Sequence, residues 1–515
     1  MRLKVTPSKT KINIFDIFLV LGSGILTALA FPKFNLSFLI WISLIPLLWV
    51  MANKTPKQAF VLGLIAGFGF YALLLYWIPD VPAHYGNLSW SFSLLIYVVF
   101  MLYLALFWGF FSLVMARIRR TLPLAGYIIA PFIWVAFEFI LTHLLTGFPW
   151  GLLGYAQYQN LMFIQTASVT GIYGLSFLIV LFQSLFVLSM KHRKRKYFFS
   201  GLVIVLLVHL GGYICLQTPP SQTGAFKASV IQGNVSSDIQ WNSMSYEGIV
   251  QLFEQHMDLT KQASSEGSEL IIWPEFSVPL CFSCSYGIYL DFQNRIIQFV
   301  KDSGKTLLLG TNETKAGPEK DEYFNTALCL GPNLQTSEYY KMHLVPFGEY
   351  TPYPKIFSFI NTVTHAIGDV TPGKEYTLHD LNGIRFGSPI CFEIVFPDLV
   401  RHFVKNGAQF LTTITNDGWY GKSSAPRQHF AIATLRAVEN RRFLLRSATT
   451  GISGVIDPYG RILQRSQLGT QTYLSGQITP RSDLTIYARL GDAFAYIGLT
   501  LSLLFLILAI IRRSE

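Results

Sequence analysis

Apolar residues along most of this chain come in long unbroken runs, near 13–31, 35–52, 58–78, 91–116, 123–144, 162–190, 198–216 and 488–511. A helix needs on the order of 20 such residues to cross the hydrocarbon of a bilayer. The pattern therefore predicts eight membrane helices, seven before residue 220 and one at the end. Residues 220–485 contain no comparable run and shorten to strand-like stretches: "FKASVIQG" (226–233), "ELIIWPE" (269–275), "TLLLGTN" (306–312), "IRFGSPICFE" (384–393), "QFLTTITN" (409–416) and "GVIDP" (454–458). Amphipathic stretches near 245–265, 288–303, 396–406 and 427–441 alternate with them, the pattern of an α/β domain. The expected organisation is a membrane domain at 1–219, an inserted polar domain at 220–485, and a last helix with a short tail at 486–515.

Composition agrees with that division, since 51% hydrophobic and 13% charged residues over 515 positions exclude an ordinary soluble protein. The net charge of +11 raises nucleic acid as a partner, but the basic residues sit in clusters between apolar runs and not in a recognition motif, so none is expected. Arg2, Lys4, Lys9 and Lys11, then Lys54 and Lys57, then Arg117, Arg119 and Arg120, then "KHRKRK" (191–196), and finally Arg512 and Arg513 all fall on one side of the predicted topology. The opposite loops at 79–90 and 145–161 have neither lysine nor arginine, with Lys33 the exception on that side. Basic loops stay cytoplasmic, so the 220–485 domain is expected outside, in the periplasm of a bacterium with two membranes. "LTALAF" at the end of the first run has the small residues of a signal-peptidase site. Another apolar segment begins within a few residues, and a retained helix is expected.

Five cysteines (Cys215, Cys281, Cys284, Cys329, Cys391) are too scattered for a disulfide scaffold. Cys281 and Cys284 form a lone C-x-x-C without the ligands a zinc site needs, so they read as loop thiols or a disulfide, and no metal is expected. More informative are polar residues released where apolar stretches stop, the place α/β folds put reactive groups. "IIWPEF" releases Glu275, "YYKMHLVPFGEY" carries Lys341 and Glu349, and "ICFE" presents Cys391 and Glu393. Singly, each reads as a solvated carboxylate, a surface lysine or a core thiol.

Together with "NDGWYG" (416–421), these motifs resemble the nitrilase-like or carbon–nitrogen hydrolase superfamily over about residues 225–480. Its catalytic triad is Glu, Lys and Cys in that chain order, which falls on Glu275, Lys341 and Cys391. With the surrounding helices, "WPEFSVP", "LVPFGEYTP" and "TNDGWYGKSSAPRQH" make the chain resemble the apolipoprotein N-acyltransferases. The resemblance implies an α-β-β-α sandwich on a multi-pass helix bundle in the bacterial inner membrane. It also implies N-acylation of the N-terminal diacylglyceryl-cysteine of apolipoproteins, with a membrane phospholipid as acyl donor, no cofactor, and a monomeric enzyme.

The residue types suit that chemistry. A thiol with a pKa of about 8.5 is mostly protonated at neutral pH and needs a base or a cation to react. Glu275 takes the proton, Lys341 faces the oxyanion, and Cys391 carries the acyl group as a thioester. Glu349 is expected to pair with Lys341 and Glu393 to orient the loop around Cys391, or each to be a structural hydrogen-bonder. Trp241 either contacts lipid or packs under the domain. Phe392, Trp419 and Tyr420 are expected to keep water from the thioester; Phe392 stands where many relatives are expected to carry tyrosine. His343 and His429 allow a Cys–His pair, a weaker reading than the lysine one. Two other functions compete: a membrane-tethered amidase, for which eight spans have no purpose, and a transporter or scaffold, for which the spans hold few ionisable residues, Glu138 being the clearest.

Overall fold

The structure is a computed structural model that describes residues 11–217, 224–235, 246–277, 281–282, 287–317, 321–352 and 370–514. The chain forms two compact units: Met1–Pro79, Ser89–Thr218 and Leu490–Glu515 make one, Asp80–Leu88 and Pro219–Arg489 the other.

In the first unit, five helices among the described residues are long and apolar enough to cross a membrane: Pro56–Leu74, Trp90–Thr121, Ile172–His192, Lys196–Leu216 and Ala493–Arg512. The remaining apolar runs fold as shorter pieces, and each break has a local cause. Run 35–52 becomes a 3₁₀ turn (Ser37–Trp41) and a helix (Ile45–Met51) with proline in its first turn. Proline starts a helix readily but disrupts one already under way. Likewise Pro131 opens Ala130–His143, separating it from Pro123–Ile128. In run 162–190, Gly171 at φ 65° and ψ −171° divides two short turns from Ile172–His192, a backbone geometry that glycine tolerates best.

Small residues set how closely these helices pack. A Cβ on Gly24 would lie 2.1 Å from the Ala66 carbonyl oxygen, and one on Gly63 would lie 2.5 Å from that of Trp108. Ile14–Leu29 and Trp90–Thr121 can thus approach Pro56–Leu74 backbone to backbone, the usual means of helix association in lipid. Glu138 is buried, and its Oε1 accepts from Trp134 Nε1 and from the Leu153 N–H, both at 2.9 Å. It fastens its own helix to the turn Leu153–Gln157.

Among its described residues the second unit holds twelve strands: β1 (Phe226–Gln232), β2 (Leu270–Ile272), β3 (Thr306–Lys315), β4 (Glu322–Leu330), β5 (Thr336–Tyr340), β6 (His379–Leu381), β7 (Ile384–Gly387), β8 (Phe410–Thr415), β9 (Leu444–Ala448), β10 (Gly454–Ile456), β11 (Ile462–Arg465) and β12 (Thr472–Ile478). They form two six-stranded sheets, in order β12-β1-β2-β3-β4-β5 and β11-β10-β9-β8-β7-β6. Strands β1, β2 and β3 pair in parallel, as do β7, β8 and β9, while the flanking pairs are antiparallel. Parallel neighbours need a crossover, and helices supply it. Tyr246–Ser265 and Ile288–Ser303 bury Phe253, Met257, Ile296 and Val300 on the first sheet against Trp273, Leu307 and Leu328. Pro397–Lys405 and Ala425–Asn440 link the parallel strands of the second.

The facing sides of the sheets meet through Phe226 and Phe410, whose rings are 5.3 Å apart, and through Ser447 Oγ, which donates to the carbonyls of Ile231 and Ile272. The result is an α-β-β-α sandwich. Strands β4, β5, β6, β9, β11 and β12 had no counterpart in the sequence pattern, since several place polar residues inside, such as Asn325 in β4 and Arg446 in β9. The stretch 384–393 is a strand only to Gly387; Cys391 begins a 3₁₀ turn, Cys391–Val395.

Candidate active site

The parallel strands end on the same side, and their exits carry the polar residues. Glu275 follows β2, Cys391 follows β7, Asn416 and Asp417 follow β8, and Lys341 comes immediately after β5. Glu275, Lys341, Glu349, Cys391 and Glu393 are all buried.

Lys341 Nζ lies 2.8 Å from Glu349 Oε1 and 3.4 Å from Glu275 Oε1. Asn325 Nδ2 donates to the same two oxygens, at 2.8 Å to Glu275 and 2.9 Å to Glu349, so one amide nitrogen spends both hydrogens on two carboxylates. The other oxygens are held by backbone: the Asn416 N–H donates to Glu275 Oε2 at 2.7 Å and the Val345 N–H to Glu349 Oε2 at 2.8 Å. Neither carboxylate can swing without losing a buried hydrogen bond. Burial alone would push the Lys341 ammonium down, but Glu349, Glu275 and Cys391 outweigh it and hold the group well above its ordinary range. It stays a cation.

Cys391 answers differently to the same surroundings. Burial and the Glu275 carboxylate push its thiol well above the ordinary range, and Lys341 and Thr415 offset this only in part. Cys391 rests as a thiol, and a thiol so buried requires a base to react as a nucleophile. Its backbone is left-handed, at φ 53°. A non-glycine residue there costs roughly 1–3 kcal/mol, and such strain persists only where the surroundings over-determine it. The Cys391 carbonyl oxygen lies 3.2 Å from His429 Nε2.

Glu393 joins the lysine and cysteine loops. Its Oε2 accepts from the Ile390 N–H at 2.7 Å, and its Oε1 accepts from the Met342 and His343 N–H groups and the Tyr339 hydroxyl at 2.7, 3.0 and 2.8 Å. Burial pushes its carboxyl up to about 7 despite these donors.

The aromatic residues divide. Phe392 is buried, its ring 5.2 Å from Phe396 and 6.0 Å from His343. Trp419 and Tyr420 are half-buried on the turn Asp417–Tyr420, where Trp419 meets the edge of Tyr85 at 4.7 Å and the Tyr85 hydroxyl donates to the Gly418 carbonyl. Burial and then Cys391 raise the Tyr420 phenol well above its usual range, keeping it protonated. Trp241 and Cys284 lie outside the described residues, while Cys281 is disulfide-bonded. No sequence motif contains Asn325, the "NDGWYG" motif contains Asn416 and Asp417 without giving either a role, and His429 reads as a weaker partner for Cys391 than Lys341. A mid-strand asparagine or a turn residue carries no local sign of what it reaches.

This arrangement offers a thiol, a carboxylate able to take its proton, and a fixed cation for charge that develops on an attacked carbonyl. A family model for the apolipoprotein N-acyltransferase N-terminal domain matches residues 23–185, and a carbon–nitrogen hydrolase model matches residues 227–486. The apolipoprotein N-acyltransferase of Geobacter metallireducens is 36% identical over 494 residues, covering 93% of this chain and 92% of that protein. The chain belongs to the apolipoprotein N-acyltransferase family. The Nitrosomonas europaea apolipoprotein N-acyltransferase is 30% identical over 495 residues, 95% of this chain and 96% of that one. Apart from Asp80–Leu88, the N-acyltransferase N-terminal model falls on the helical unit, and the hydrolase model runs from within β1 to beyond β12, so the two sheets have the nitrilase-like fold.

Proposed function

We propose that this chain transfers an acyl group from a membrane phospholipid to the α-amino group of the diacylglyceryl-cysteine that begins an apolipoprotein, through a thioester on Cys391. The observation that carries this reading is Lys341 held as a buried cation between Glu275 and Glu349, in the electrostatic field of the Cys391 thiol. Glu275 takes the thiol proton as Sγ attacks the ester carbonyl, and Lys341 balances the oxyanion. Collapse breaks the ester C–O bond, and the departing lysophospholipid oxygen takes the proton from Glu275. The incoming ammonium gives one proton to Glu275, which releases it to solvent, and the free amine attacks the thioester. As the amide forms, its nitrogen loses a second proton through Glu275 to the expelled Cys391 thiolate, which restores the thiol and the Glu275 carboxylate. No redox or metal step is required.

Both substrates keep their acyl chains in lipid, which supplies the reason for the helices. In this reading residues 1–219 form seven spans, residues 220–485 the catalytic domain, and 486–515 an eighth span with a short tail. The shorter pieces Ile14–Leu29, Ser37–Met51 and Ala130–His143 complete the count beside the long helices. The clustering of lysine and arginine on alternate loops supports an inner-membrane protein with the catalytic domain in the periplasm; in this reading the enzyme acts as a monomer.

The test is intact-protein mass spectrometry after exposure to phospholipid vesicles. An acyl adduct on Cys391, removed by hydroxylamine and absent in Cys391→Ser, is expected. A protein that forms no adduct yet hydrolyses small amides would overturn the acyl-carrier reading.

A further inference from the structure

The left-handed backbone of Cys391 needs something to hold it, and four elements converge on that task. His429 projects from the helix Ala425–Asn440, Asp417 from the turn after β8, and Arg446 from β9, while Cys391 follows β7. The side chains of Asp417, His429 and Arg446 are wholly buried. Arg446 Nη2 is 2.8 Å from Asp417 Oδ2 and 3.0 Å from His429 Nδ1, and Asp417 Oδ1 is 2.9 Å from His429 Nδ1. The Thr415 hydroxyl donates to the same Asp417 oxygen, and Arg446 Nε donates to the Ile452 carbonyl. Room for the carboxylate depends on Gly451, where a Cβ would lie 2.2 Å from Asp417 Oδ2.

The ring is thus fixed from its Nδ1 side, and Nε2 is left facing the Cys391 carbonyl oxygen at 3.2 Å. A carbonyl oxygen only accepts, so Nε2 carries the proton of that bond. The network also reaches the base. Asn416, next to Asp417, donates its N–H to Glu275 Oε2, so nucleophile and base take their positions from one turn.

We propose that His429 is a positioning residue that grips the Cys391 carbonyl through Nε2–H and holds the nucleophile in its left-handed conformation, with Asp417 and Arg446 fixing the ring. This rests on the reading of Cys391 as the acyl carrier. It assigns the histidine no proton transfer with substrate: its role is to hold a backbone carbonyl, with the buried Asp417–Arg446 pair against its other nitrogen. Without the grip Cys391 relaxes toward ordinary backbone angles, and Sγ moves relative to Glu275 and Lys341.

The test uses the full-length protein in phospholipid nanodiscs, comparing wild type with His429→Gln, His429→Asn and His429→Leu. Three quantities are read: the rate of acyl-Cys391 formation as a function of phospholipid, the alkylation rate of Cys391 by iodoacetamide, and the thermal unfolding midpoint. Removing the donor in His429→Leu is expected to slow acylation about 100-fold at saturating phospholipid, the order of loss from an ångström-scale misplacement, with half-saturation little changed. Alkylation should fall with it. Glutamine presents an N–H at similar reach and is expected to recover about 10-fold of that loss, whereas the shorter asparagine is not.

Wild-type rates in His429→Leu would overturn the proposal. So would equal losses in all three variants that track their unfolding midpoints, which would make the histidine a packing residue. If wild-type Cys391 alkylates but never acquires an acyl group, the acyl-carrier reading fails, and the alkylation rates of the variants alone decide whether the grip exists.

Discussion

Lys341 sits nearer to Glu349 than to Glu275, at 2.8 Å against 3.4 Å. The shorter contact anchors the ammonium, and the longer one leaves Glu275 the more loosely paired of the two carboxylates. Without Glu349, Glu275 would be the remaining carboxylate on the lysine, and the two would pair more tightly.

Glu349→Gln should therefore lower turnover by about 100-fold, the scale of disturbing a fixed charge in a dry site. Glu349 also raises the Lys341 pKa, so in the variant the alkaline limb of the activity profile should move to lower pH. The sign follows from protonation: a raised lysine pKa is a contribution retained below the ordinary lysine range and lost as pH climbs through the folded value. A pH–rate profile from pH 6 to about 11 reads this directly, bracketing the lysine range. An unmoved alkaline limb would show that Glu349 does not set the lysine's charge.

Glu275→Gln keeps the shape but removes the basic carboxylate that the proposed mechanism uses to receive the thiol proton. Acyl-enzyme formation should fall by about 100- to 10,000-fold, the range general-base catalysis supplies. Its amide would also meet the Asn325 or Asn416 donors head-on. Single-turnover mass spectrometry checks the rate. A variant acylated as quickly as wild type would remove Glu275 from the role of base.

Glu393 predicts a pH dependence of stability. Burial raises its carboxyl from the ordinary 4.5 to about 7, so the folded protein binds this proton more tightly than the unfolded chain. The contribution is present below 4.5 and is lost as pH rises from there to about 7, an effect on the order of 3 kcal/mol. Thermal unfolding midpoints across that window should fall for wild type and lose this slope in Glu393→Gln. The variant should be less stable throughout, because its amide turns a donor toward one of the four donors that Glu393 now accepts from.

The ring contact of Tyr85 with Trp419 ties the segment Asp80–Leu88 to the turn that carries Tyr420. A double-mutant cycle with Tyr85→Leu and Trp419→Leu should return a coupling of about 0.5–1.5 kcal/mol in unfolding free energy. Additive losses would mean the rings touch without stabilising each other.

Local pattern alone determined much about this protein. Uninterrupted apolar runs marked the helical unit, and short apolar stretches ending in Glu275, Cys391 or Asn416 marked the strand exits, because both depend on residues close in sequence. Pattern did not reveal the breaks at Pro131 and Gly171, where one residue's backbone preference outweighs the hydrophobicity of its neighbours. It also missed strands such as β4 and β9, whose buried Asn325 and Arg446 look like surface residues until their partners are known. Asn325 lies 50 positions from Glu275 and 24 from Glu349, and His429 lies 38 from Cys391. Only the tertiary structure decided those meetings, because a polar side chain can stay buried only where the folded chain brings it a partner, and distance along the sequence does not report which partner that is.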